Sequence, residues 1–130
     1  MDLIAGTLVT DNVRLVSLLG EGGMGCVWTA DHLSLRTRVA VKFVSSDLVK
    51  QDPTIATRFN REAALGAQIK SPHVVLMFDH GVMADGRPYI VMELLEGESL
   101  QDRLDRLGRL STSETLTVVS QTCKGLNKAH

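Results

Sequence analysis

The chain has 130 residues, 44% hydrophobic and 22% charged, which is ordinary globular usage and excludes a disordered or collagen-like chain. Fourteen Lys and Arg against fifteen Asp and Glu leave a formal net charge of −1, so bulk charge offers no handle for a nucleic acid. The longest unbroken apolar run, residues 74–78, is far shorter than the roughly 18 residues of a membrane span, and the Met1-Asp2-Leu3 start lacks a signal-peptide pattern.

Residues 1–12 read as an extension ahead of the first element. Three Val- and Leu-rich runs follow, residues 13–19, 26–32 and 38–44, each of strand length and joined by Gly or polar residues, as in an antiparallel meander. Asp52-Pro53 has the form of a helix start, with Asp as N-cap and Pro at the first helical position. Ile55, Phe59, Glu62, Gly66 and Ile69 then recur at steps of four, three, four and three, one face of a helix. Ser71-Pro72 ends it, because the residue before Pro is pushed out of the helical region.

Residues 74–82 and 88–94 are two further strands, with Asp85-Gly86 as the hairpin turn between them. Beyond Glu96-Gly97-Glu98 the chain is helical. Leu100, Leu104 and Leu107 mark a short helix that stops at Gly108. Ser111-Thr112-Ser113-Glu114 is a capping box, and Leu116, Val119, Cys123 and Leu126 form the apolar stripe of the helix it starts. The expected class is α+β: a five-stranded antiparallel sheet with one long helix, a tether at 93–97, and two helices.

Three groups of residues carry chemistry. Gly20-Glu21-Gly22-Gly23-Met24-Gly25 matches G-x-G-x-x-G. It is read either as a loose hairpin turn or as a loop whose backbone closes over phosphates. A dinucleotide fold would need a helix after the glycines and an acid about 20 residues on. Residues 26–32 read instead as a strand, and residues 39–42 hold no Asp or Glu. Lys42 sits in an otherwise apolar strand on the same face as Ala40, either snorkelling from an edge or paired. Glu62 lies on the apolar face of the long helix, where a lone carboxylate is costly. Arg58 is a local partner, but a buried Lys42–Glu62 pair accounts for both charges at once and aims the ammonium under the glycine loop.

With these residues in place the chain resembles a protein kinase. Residues 19–27 are similar to the kinase glycine-rich loop, Val39-Ala40-Val41-Lys42 to the third-strand lysine motif, and Glu62 to the C-helix glutamate. Residues 89–97 resemble the fifth strand and hinge. The Gly-Glu-Gly-Gly-Met-Gly form is most like bacterial serine/threonine kinases of the eukaryotic type. Ser71-Pro72-His73 stands where the family often has His-Pro-Asn.

The resemblance implies an ATP-binding N-lobe at 13–92, a hinge at 93–97, and the start of a helical C-lobe at 98–130. Leu19, Gly20, Glu21, Gly22, Gly23, Met24 and Gly25 would cover the nucleotide, and Val27 and Ala40 would wall the adenine. Met92 would be the gatekeeper, with Glu93 and Leu95 offering backbone groups. Lys42 would orient the phosphates and Glu62 would hold Lys42. Neither His-Arg-Asp nor Asp-Phe-Gly occurs in the sequence. These supply the catalytic base and magnesium sites in the family, so Mg2+ belongs to the complete kinase and these residues alone are expected to be inactive. The alternative is a non-catalytic, pseudokinase-like nucleotide-binding or regulatory module.

Cys26 and Cys123 lack CxxC spacing and are read as reduced thiols, and His32, His73, His80 and His130 lack metal-ligand spacing. The expectation is a soluble, cytoplasmic domain with ATP and a protein substrate as partners and no nucleic acid. Helix 112–130 should leave its stripe uncovered and promote self-association.

Overall fold

The structure, a computed structural model, describes residues 2–129, so the ends of the first and last expected segments, Met1 and His130, lie outside the described residues. Six strands, β1 (Leu8–Thr10), β2 (Val13–Gly22), β3 (Gly25–His32), β4 (Thr37–Val44), β5 (Met77–Val82) and β6 (Pro88–Glu93), form one antiparallel sheet in the order β1-β2-β3-β4-β6-β5. Four helices accompany them: α1 (Ser46–Gln51), α2 (Thr54–Gly66), α3 (Leu100–Leu107) and α4 (Thr112–Ala129). The α+β arrangement and the five long strands are as expected. The segment 1–12 is more than an extension, because β1 adds a sixth, short strand against β2.

Alternation divides the sheet into two faces. Trp28, Val41 and Val91 lie opposite one another across β3, β4 and β6, as do Phe43 and Tyr89 on β4 and β6. With Leu15 they make the core, and Leu15, Val41, Phe43 and Val91 are at most 1% exposed. Side chains of this size contribute roughly 1.5–3 kcal/mol each when fully buried. The other face carries Val27, Ala40, Lys42, Ile90 and Met92, with Val27 opposite Lys42, Lys42 opposite Ile90, and Ala40 opposite Met92. The chemistry-bearing residues thus stand on the reverse side of a rigid hydrophobic sheet.

Two helix boundaries differ from the expectation. Pro53 rather than Asp52 is the N-cap of α2, yet Asp52 still caps: its Oδ1 accepts from the Thr54 amide at 3.1 Å and the Thr54 hydroxyl at 2.6 Å. The helix stops at Gly66, leaving Ile69 in the turn that follows. Gly66 is pressed against Met77, whose Sδ would stand 2.9 Å from an added Cβ. Between β5 and β6, Gly86 has φ +88° and the Asp85 carboxylate accepts from the Arg87 amide, the turn read from Asp85-Gly86.

The two last helices are also where expected. Ser99 caps α3 through the Asp102 amide, Gly108 ends it at φ +81°, and Ser111 accepts from the Glu114 amide. The Glu114 carboxylate does not close the box. It accepts from Arg103 of α3 at 3.2 Å instead. Helix α4 rests on the His73 backbone and the Val74 side chain at Gly125, where a Cβ would come within 3.0 Å of the His73 carbonyl. Leu116, Val119, Cys123 and Leu126 are exposed.

Candidate functional site

The glycine loop is a hairpin between β2 and β3. Pairing continues to Gly22 opposite Gly25, leaving Gly23-Met24 as a two-residue turn. Gly25 has φ +154°, and a Cβ there would stand 1.9 Å from the Phe43 carbonyl oxygen, so the crossing onto β4 admits only glycine. The Ser45 amide donates to the Met24 carbonyl at 2.9 Å and ties the tip to the end of β4. A Cβ at Gly20, Gly22 or Gly23 would meet nothing within 4 Å. Residues 20–27 and Lys42 line a cleft of about 290 Å³ beneath this hairpin.

Lys42 and Glu62 face a common space but are not joined. Both are exposed, and among the described residues neither forms an ion pair within 4 Å. The buried Lys42–Glu62 pair expected from the sequence is therefore corrected, and so is the local Arg58–Glu62 alternative. A cavity of about 620 Å³ lies between α2 and β4, with Lys42, Glu62 and Arg58 on its polar side and Leu48, Phe59, Met77 and Ile90 on its apolar side. Helix α2 is held at Ala63, 1% exposed, and at Gly66 against Met77, while the cavity opens toward its N-terminal half. Each charge keeps its water, so neither pays the desolvation that would demand a partner. The short helix α1, which contributes Leu48 to this wall, was not foreseen. Its signal was the Ser45-Ser46-Asp47 start.

Met92 lies opposite Ala40, which is 3% exposed, and β6 ends one residue later with Glu93 opposite Val39. Glu93 donates its amide to the Leu76 carbonyl at 2.8 Å, and its carboxylate accepts from the Leu76 amide at 3.1 Å. Leu95 and Leu19 are exposed, 63% and 58%. Beyond the hinge, Glu98 is gripped by Arg106 and Arg103, which hold its carboxyl below the usual range, and Arg103 bridges to Glu114 at 3.2 Å. This chain of ion pairs ties the segment after the hinge to α3 and α4. Burial pushes the Cys26 thiol up, which fits a packing residue rather than a reactive one.

The protein kinase domain model matches residues 13–130. The chain belongs to the protein kinase domain family. It is 39% identical over 129 residues to the serine/threonine-protein kinase PknA of Mycobacterium tuberculosis, covering 96% of this chain and 30% of that protein. It is 37% identical over 117 residues to PknH of Mycobacterium bovis, covering 90% of this chain and 19% of that protein. Among solved structures, the kinase domain of Mycobacterium tuberculosis PknI superposes with a TM-score of 0.82 at 28% identity. That match covers all of this chain and 53% of the PknI chain. The chain therefore spans less than a third of these curated relatives and about half of a solved kinase domain.

Family members generally use ATP with Mg2+. Among the described residues no three His, Cys, Asp or Glu side chains converge as metal ligands. The residues present do not fit the magnesium, and no step below runs through it. No helix among the described residues is long and apolar enough to cross a membrane.

Proposed function

We propose that this chain is the ATP-binding portion of a serine/threonine protein kinase, whose complete domain transfers the γ-phosphoryl group of ATP to protein hydroxyls. The observation that supports it most is the cleft beneath the glycine hairpin, closed on one side by Lys42. Gly20, Gly22 and Gly23 are not needed by the fold, since a Cβ there meets nothing. A ligand pressed against the hairpin backbone gives them a reason. Leu19, Glu21, Met24 and Gly25 complete the cover, Val27 and Ala40 flank the base, and the backbone at Glu93 and Leu95 reads its edge beside Met92. Lys42 meets the phosphates as a point charge. Glu62 reaches Lys42 when α2 closes the cavity between them. Phosphoryl transfer is mostly positioning and electrostatic stabilisation, and these residues supply the nucleotide half of both.

The open Lys42–Glu62 arrangement favours a second reading, a non-catalytic nucleotide-binding or regulatory module. Transfer to a generic basic protein separates the two for a longer chain, and these 130 residues alone should show none. On this reading the segment works on the cytoplasmic side of any membrane, where ATP is available. The test of the binding role is calorimetric titration with ADP: Lys42→Met should weaken it at least tenfold with an unchanged melting curve. Unchanged affinity would remove Lys42 from the site.

A further inference from the structure

An antiparallel hydrogen-bonded pair exchanges two main-chain bonds, one in each direction. At the end of β6 the pair Leu76 and Glu93 makes only one of them in the ordinary way, from the Glu93 amide to the Leu76 carbonyl at 2.8 Å. The return bond, from the Leu76 amide, goes to Oε1 of the Glu93 side chain at 3.1 Å. The carboxylate thus stands in for the main-chain carbonyl of its own residue.

We propose that Glu93 is a positioning residue for nucleotide recognition: its side chain satisfies the Leu76 amide so that its main-chain carbonyl stays available to a donor on the ligand. The inference rests on the ATP reading above. It identifies the donor by chemistry, an exocyclic amine on a purine presented to the first hinge carbonyl after Met92. It also explains why a carboxylate occupies a half-buried position at the mouth of the hinge. Without it the Leu76 amide has the residue-93 carbonyl as its nearest substitute, and the sheet would take the acceptor that the base needs. An amide side chain keeps the function, because Gln offers the same Oε1 acceptor.

The experiment is calorimetric titration of the 130-residue chain, and of its Glu93→Ala and Glu93→Gln variants, with two probes: ADP and purine riboside 5′-diphosphate, which lacks the 6-amino group. The wild-type chain should prefer ADP by about five- to tenfold, the scale of one hydrogen bond. Glu93→Ala should lose that preference, its affinity falling more for ADP than for the amine-free probe, and Glu93→Gln should restore it. Amide exchange at Leu76 should stay slow in Glu93→Ala, since its N–H has moved to the main-chain carbonyl. Equal weakening of both probes, a retained preference in Glu93→Ala, or no rescue by Gln would overturn the inference alone. A wild-type chain that binds neither probe would overturn the ATP reading, and this inference with it.

Discussion

Gly25 and Lys42 show how differently two residues of one site are constrained. Gly25 is demanded by the fold, because its φ of +154° and the Phe43 carbonyl beneath it exclude any side chain. Gly25→Ala should cost at least about 2 kcal/mol, read as a lower urea midpoint with an unchanged slope. Lys42 is demanded by nothing in the fold, being exposed and unpaired among the described residues. Its replacement should therefore stay within about 0.5 kcal/mol of wild-type stability while nucleotide affinity falls. The candidate residues were legible because glycine spacing and a lysine in an apolar strand are anomalies of composition. Their mutual distance was not. Helical spacing says which face Glu62 occupies, but it carries no information on how far α2 stands from β4.

At the scale of elements, strands with strong alternation and marked turns were read correctly, and short or tertiary-dependent ones were missed. β1 has three residues and exists only by pairing with β2. Ile69 kept the helical spacing, yet the helix ends at Gly66, a residue of low helix propensity that packs against Met77. The attachment of α3 and α4 to the hinge depends on pH through Glu98. Arg106 and then Arg103 depress its pKa in the folded chain, so its stabilising contribution is complete above the ordinary Glu range, about 4.3. That contribution is lost as pH falls through the lowered folded value. Urea unfolding followed at a series of acid pH values should show the loss, and Glu98→Gln should flatten the dependence. An identical slope in the variant would show that Glu98 does not carry it.

For the whole molecule, the sheet, the hinge and two helices stand together, while one side of α4 meets only water. Leu116, Val119 and Leu126 are each more than half exposed, at 65%, 54% and 54%. This is the stripe whose periodicity marked it as a buried face, so the sequence told what the helix is shaped to do rather than what covers it here. Contiguous apolar surface of this kind promotes association. Sedimentation of the 130-residue chain should show concentration-dependent mass, and Leu116→Glu with Leu126→Glu should abolish it. A monomer at all concentrations would contradict that expectation.

Binding of an adenine nucleotide by the glycine hairpin and hinge is tested most directly by amide resonances of the isotope-labelled chain, followed while ADP is added. Saturable shifts confined to residues 20–27, Lys42 and 92–95 are expected, with α4 unmoved. Shifts centred elsewhere, or none at millimolar ADP, would contradict nucleotide binding at this site.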